Sequence, residues 1–179
     1  PDVLVRALKL LPERTSSGKQ MRLVICGGQS GAGNHTVDQL HALVAELDLA
    51  DRVLFLPPQD SGSLADLYRA ADLVAVPSYS ESFGLVAIEA QSCGTPVLAA
   101  AVGGLVTAVK DGQSGVLVAN HDPQVWALKL ARLLDDPAEL AALGRGAVAH
   151  ARRFSWEQTS RELRQLYTEA LTSSNQVPR

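Results

Sequence analysis

The sequence predicts an α/β fold built on an open, doubly wound parallel sheet. Three observations point there. Short apolar runs alternate with stretches of helical period through the first two thirds of the chain. The runs are apolar throughout instead of alternating, as a sheet covered on both faces requires. Gly, Pro and Asp punctuate most changes from one element to the next.

In chain order, residues 2–11 (DVLVRALKLL) place apolar residues at helical spacing, and 12–20 read as a loop. Residues 21–26 (MRLVIC) are an apolar run ended by Gly27-Gly28, which predicts a buried strand. Residues 36–48 have helical period. Residues 52–56 (RVLFL) predict a second strand, stopped by Pro57-Pro58. Residues 63–70 predict a short helix with Ser63 as its N-cap and Asp66 in the first turn. A third strand follows over 72–76, then a helix over 83–93, a strand over 96–100, a short helix over 104–110 and a fifth strand over 115–118. Only helices come after that, over 123–134, 138–152 and 155–171. The order βαβαβ sets the fold class.

The 179 residues read as one domain over 1–179, with 172–179 as a polar, disordered tail. A hydrophobic fraction of 46% lies far above the disordered range. Sixteen Lys and Arg against 19 Asp and Glu leave a net charge of −3, which argues against nucleic acid as a partner. No apolar run approaches the roughly 18 residues of a transmembrane helix. The first apolar stretch is broken by Arg6 and Lys9 and makes no signal peptide. Cys26 and Cys93 read as reduced thiols, which predicts a cytoplasmic protein. The chain opens at Pro1 directly into a helical stretch, which predicts a further segment upstream.

In such sheets, ligands sit outside the carboxyl ends of the strands, near helix N-termini. Gly, Ser and acidic residues gather there at 27–33, 57–59, 78–84 and 102–104. The loop Gly27-Gly28-Gln29-Ser30-Gly31-Ala32-Gly33 misses the dinucleotide-binding spacing, and no G-K-[ST] exists. Two readings stay open for it: a flexible turn, or close approach of a sugar or phosphate to Gly27 and Gly28.

Residues 80–90 (SESFGLVAIEA) carry the sharper signal. Glu81 falls in a strand-to-helix loop and Glu89 on the helix that follows, with seven residues between them. A helix starting near Phe83 or Gly84 leaves the amides of Phe83, Gly84 and Leu85 unpaired in its first turn, an anion seat suited to a diphosphate. Glu89 then lies roughly 7–8 Å further along the axis, about the span from a diphosphate to a neighbouring ribose. A carboxylate on so apolar a helix needs partners, and two vicinal hydroxyls would supply them. The alternatives are two solvated surface charges, or a glycosidase acid/base pair, whose carboxyls would have to face each other across a sugar.

Glu81-x7-Glu89, with Pro77-Ser78-Tyr79-Ser80 before it and Gly94-Thr95-Pro96-Val97 and Gly103-Gly104 after it, resembles the retaining glycosyltransferases of family GT4. The similarity runs from Pro1 through Phe154-Ser155-Trp156-Glu157 to the last helix. It implies the C-terminal, nucleotide-sugar-binding Rossmann-like half of a two-domain GT-B enzyme, without its acceptor-binding N-terminal domain. By resemblance, Glu81 is the catalytic-site residue that hydrogen-bonds the donor sugar. Ser82 and the amides of Phe83, Gly84 and Leu85 hold sugar and diphosphate. Glu89 takes the ribose hydroxyls, Gln59 lies at the uracil, and Gly27 and Gly28 border the phosphates. The resemblance also implies a structural Mg²⁺ against main-chain oxygens of Tyr68, Arg69 and Ala71, with Thr95. No cofactor is required for the chemistry.

The implied reaction is retaining transfer of N-acetylglucosamine from UDP-N-acetylglucosamine to 1L-myo-inositol 3-phosphate, in actinobacterial mycothiol synthesis. Related members transfer mannose or glucose to other acceptors, such as a phosphoinositide lipid. A module that binds nucleotide without transfer is the reading from a different class. The family's phosphate-binding Arg and Lys belong upstream of Pro1, so this domain alone is expected to bind UDP weakly and transfer nothing. A homodimer is left open. Front-face return needs no protein base, so His35, His41, His121 and His150 receive no acid/base role. Trp126 and Trp156 are expected to be packing anchors.

Overall fold

The computed structural model describes residues 1–28 and 37–174, with side chains up to residue 171. Residues 29–36, which include most of the glycine loop and His35, and residues 175–179 lie outside the described residues. The elements are α1 (Asp2–Leu10), β1 (Leu23–Cys26), α2 (Val37–Glu46), β2 (Val53–Leu56), α3 (Ser61–Ala70), β3 (Val74–Val76) and α4 (Leu85–Ser92). They continue with β4 (Val97–Ala100), α5 (Leu105–Ala108), β5 (Gly115–Val118), α6 (Pro123–Leu134), α7 (Pro137–Ala151), a 3₁₀ turn Arg152–Phe154 and α8 (Trp156–Ser174). The predicted α/β class holds. Helix α8 runs three residues into the segment expected to be a disordered tail.

Every described strand pairing is parallel, but the strands hydrogen-bond in two sets. Strand β1 pairs with β2, Leu23 opposite Val53, while β3, β4 and β5 form a second set with Val74, Val97 and Gly115 in register. A cavity of about 150 Å³, lined by Leu4, Leu8, Leu23, Ala75 and Leu134 with Lys19, Gln20 and Asp72 among others, reaches both β1 and β3. One core nevertheless spans the two sets. Leu23, Ile25, Val53 and Phe55 pack with Leu98, Ala100, Val116 and Val118 against α1, α2, α6 and α7.

Strand β4 explains the uniform apolar runs. Successive strand side chains point to opposite faces. Leu98 and Ala100 belong to the core just described, whereas Val97 and Ala99 join Ala87, Ala90, Leu105, Ala108 and Val109 on the other face. All four β4 residues are fully buried. The β1–β2 pair differs from expectation. Val24 and Leu54, partners in register, are 47% and 51% exposed, so one face of that pair is left open among the described residues.

Trp126 is fully buried on α6 and its indole N–H donates to Asn120 O at 2.9 Å, so it is an anchor as expected. Trp156 is not. It is 88% exposed at the start of α8, whose Leu163, Leu166, Tyr167 and Leu171 are exposed as well. Helical spacing set these residues on an apolar stripe, but among the described residues the main packing of α8 is on the 3₁₀ turn before it, and this stripe stays exposed.

The N-terminus of α3 also differs. Its cap is Asp60, not Ser63: one carboxylate oxygen accepts from Gly62 N at 2.9 Å and Ser63 N at 3.0 Å. The other accepts from the Ser63 hydroxyl at 2.9 Å. Hydrogen bonds from the Ser63 amide and hydroxyl, and then from Gly62, hold the Asp60 carboxyl below its ordinary pKa. A lowered native pKa means stability that is present above the unfolded value and lost as pH falls through the native one. Asp60→Ala is therefore expected to lower the thermal midpoint at neutral pH, while the gap to the native protein narrows as pH falls below the unfolded carboxyl value of about 3.9. Circular dichroism melts across that range check it; a gap independent of pH removes the charged cap from the account.

Candidate functional site

The loop from β3 to α4 is held from outside by backbone. Gly104 N donates to Glu81 O at 2.8 Å, joining the loop after β3 to the loop after β4. A Cβ on Gly103 would lie 2.0 Å from Glu81 O, and one on Gly104 would lie 2.4 Å from Ser82 O and 2.5 Å from Phe83 Cα. Two adjacent glycines are what allow the main chains to touch. At the helix entry Gly84 takes φ +92°, the left-handed region, and caps α4.

That turn decides where the amides point. The helix begins at Leu85, so its unpaired first-turn amides are those of Leu85, Val86 and Ala87. The amides of Phe83 and Gly84, expected inside the first turn, lie before it. Both face the half-buried carboxylate of Glu81, Phe83 N at 3.5 Å and Gly84 N at 3.3 Å from Oε1. Glu81 thus puts its own negative charge where the amides and the helix dipole favour an anion. Around it Ser82, Phe83, Leu85 and Val86 are exposed, an accessible rim.

Glu89 stands exposed further along α4, and its partner comes from another helix. Tyr68 Oη on α3 donates to Glu89 Oε2 at 3.0 Å. Burial, and then the Glu89 carboxylate, push the Tyr68 phenol well above its ordinary pKa, so it remains a protonated donor. Sequence reasoning placed Tyr68 only as a main-chain metal ligand and missed this contact. The pair is 21 residues apart on different helices, beyond any local spacing rule.

The neighbouring pair of strands brings a second group to the same ends. Gly27 N donates to Leu56 O at 3.1 Å, and a Cβ on Gly28 would meet Pro58 Cγ at 3.3 Å. Gln59 follows at once, half-buried, with its amide donating to Pro57 O at 2.8 Å. The described histidines are engaged locally. His41 stacks on Phe55, His121 stacks on Tyr79 and contacts Ser78 O, and His150 contacts Thr107 O.

Tyr68, Arg69, Ala71 and Thr95 are brought together at the C-terminal end of α3. Thr95, buried before β4, donates its hydroxyl to Tyr68 O, which also accepts from Ala71 N at 3.2 Å. Arg69, Ala71 and Thr95 line one open pocket beside it. This set supplies neutral oxygens only, and its shared carbonyl already serves two donors. Among the described residues no group of three His, Cys, Asp or Glu could hold a metal. The arrangement fits at most a weakly held, largely hydrated Mg²⁺.

Comparison with known proteins adds a lineage to this geometry. Residues 1–150 match the family of glycosyl transferases group 1. A curated relative from Salinispora tropica, named D-inositol 3-phosphate glycosyltransferase, is 58% identical over 172 residues, which is 96% of this chain and 36% of that protein. One of the same name from Nocardia farcinica is 56% identical over 96% of this chain and 38% of its own length. Among solved structures, sucrose-phosphate synthase from Thermosynechococcus elongatus superposes with a TM-score of 0.81 at 37% identity, covering 96% of this chain and 42% of that one. HepE of Anabaena, solved in complex with UDP-glucose, superposes with a TM-score of 0.78 at 31% identity, covering 96% of this chain and 44% of its own. The chain thus spans less than half the length of these relatives. No described helix is long and apolar enough to cross a membrane.

Proposed function

This chain belongs to the glycosyl transferases of group 1, and from that premise we propose that it forms the donor-binding part of a retaining glycosyltransferase. The reaction is transfer of N-acetylglucosamine from UDP-N-acetylglucosamine to 1L-myo-inositol 3-phosphate, in the cytoplasm and in the service of mycothiol synthesis. The observation that carries it is the identity along almost the whole chain with relatives named for D-inositol 3-phosphate. The complex of HepE with UDP-glucose supports a uridine diphosphate donor.

In this reading the bond from the anomeric carbon to the β-phosphate oxygen breaks, and a bond to the acceptor hydroxyl forms on the same face. The acceptor proton goes to the departing phosphate oxygen, so no protein nucleophile is needed. Charge grows on the diphosphate, where the amides of Phe83 and Gly84 just before α4 and of Leu85 in its first turn stabilise it. Glu81 accepts a hydrogen bond from the sugar, beside Ser82. Glu89 takes the ribose, Gln59 turns its amide from Pro57 O to the uracil, and Gly27 and Gly28 leave room for the phosphates. The acceptor is bound by residues outside this chain. A Mg²⁺ beside Tyr68, Arg69, Ala71 and Thr95 is structural.

Two measurements on the full protein test the reading. UDP release from UDP-N-acetylglucosamine should depend on added inositol 3-phosphate; equal release with an unrelated acceptor overturns the acceptor. Glu89→Ala should weaken UDP binding by about 10- to 100-fold in calorimetry, the loss of charge-assisted hydrogen bonds. Unchanged affinity would sink the ribose assignment.

A further inference from the structure

We propose that Tyr68 is a positioning residue for Glu89, and that the phenol and carboxylate together read the two vicinal hydroxyls of the donor ribose. The proposal rests on the reading of Glu89 as the ribose carboxylate. Glu89 is exposed on α4. An exposed Glu side chain is free in three torsions, and a carboxylate so loose has no fixed place for a diol. The contact from Tyr68 Oη to Oε2 at 3.0 Å removes that freedom.

Tyr68 can do this because it is itself held at both ends. Its half-buried ring packs against the core cluster that contains Val76, Ala87 and Ala90, the floor under α4. Its carbonyl accepts the hydroxyl of Thr95, which is only 3% exposed. The carboxylate is thus aligned from the adjacent helix α3, and not by its own backbone.

The chemistry of the pair then divides the diol. A phenol that donates to Oε2 keeps the lone pairs of its own oxygen as acceptors. Glu89 Oε1 is the carboxylate oxygen not engaged by Tyr68. The pair therefore offers two acceptors side by side, Oε1 of Glu89 and Oη of Tyr68, one for each ribose hydroxyl. With one acceptor site of Oε2 taken by Tyr68, the least crowded acceptors are Oε1 and the phenol oxygen, which favours one hydroxyl on each group.

Tyr68→Phe in the full protein keeps the ring and removes only the hydroxyl. UDP affinity should fall about three- to tenfold, the worth of one ordinary hydrogen bond. Titrations with 2′-deoxy-UDP and 3′-deoxy-UDP give the specific readout. The native protein should discriminate against both analogues, and Tyr68→Phe should lose discrimination against one and keep it against the other. Native discrimination against both in Tyr68→Phe overturns the proposal. So does a lowered thermal midpoint with discrimination intact, which makes Tyr68 a packing residue. Glu89→Gln separates the two levels. If it binds UDP and both analogues as the native protein does, the ribose reading falls and takes the proposal with it. If it loses discrimination against both while Tyr68→Phe loses neither, only the role of Tyr68 falls.

Discussion

Gly104→Ala should destabilise the protein by about 2–4 kcal/mol and weaken UDP binding by about tenfold or more. The backbone at Gly104 has φ −64° and ψ −19°, a conformation that alanine adopts without strain. The cost is therefore steric. A methyl group would sit 2.4 Å from Ser82 O and 2.5 Å from Phe83 Cα, both main-chain atoms that cannot rotate away. Relief requires the loop from Glu81 to Phe83 to move by roughly 1 Å, to reach ordinary contact distances near 3.5 Å. That movement strains the bond from Gly104 N to Glu81 O and displaces the amides of Phe83 and Gly84. Gly112→Ala is the control. Its φ of +70° carries strain, but no atom lies within 4 Å of the added methyl group. It should cost about 1 kcal/mol and leave UDP affinity alone. Denaturant unfolding and calorimetry on both variants decide it. Native stability and affinity in Gly104→Ala would mean that the two loops are not in contact.

The glycine pair also marks where sequence reading stops. Gly103-Gly104 was visible as part of the motif, yet its partner is the backbone of Glu81 and Ser82, more than twenty residues away. A contact between main chains leaves no side-chain signature at either end. The contact between Tyr68 and Glu89 was hidden for the same reason. By contrast, the bounds of β5 and α6 were read to the residue. Gly115–Val118 is a short apolar strand, and Asp122 followed by Pro123 is an unambiguous helix start whose carboxylate accepts from Gln124 N at 2.9 Å.

Local rules misled where two candidates competed. Asp60 and Ser63 both suit an N-cap, and the observed helix starts early enough for Asp60 to hold two amides at once. Apolar pattern misled where it implied cover. Val24, Leu54 and Trp156 are apolar and exposed, since periodicity says which residues share a face and not what lies opposite. The candidate site stood out in composition, because Glu81, Gly84 and Glu89 bring chemistry that a core does not need. Its geometry did not. A left-handed Gly84 moves the helix start one or two residues later, and with it the direction of two amides.

That shift leads to the largest functional effect. Glu81→Ala in the full protein should lower turnover by about 10²- to 10³-fold, the usual range for losing one group that acts on the transition state. UDP affinity should hold or rise by about two- to fivefold, because removing the carboxylate frees the Phe83 and Gly84 amides for the ligand. The opposite signs follow from one geometry. Oε1 lies 3.5 Å from Phe83 N and 3.3 Å from Gly84 N, long contacts that a diphosphate oxygen can improve on. On the proposed reading, the phosphates of an arriving nucleotide sugar would take the amides and the displaced carboxylate would turn to the sugar hydroxyl. UDP alone pays for that displacement without the hydroxyl in return. The native protein should accordingly favour the nucleotide sugar over UDP, and Glu81→Ala should reverse the preference. Glu81→Gln keeps the side-chain length and an acceptor oxygen but not the charge, and should fall between the two. Calorimetry with both ligands, beside kcat and KM for the sugar donor, reads the four quantities separately. Normal turnover in Glu81→Ala removes Glu81 from the chemistry. A loss of UDP affinity equal to the loss of turnover makes the carboxylate a brace for the loop and not a competitor for its amides.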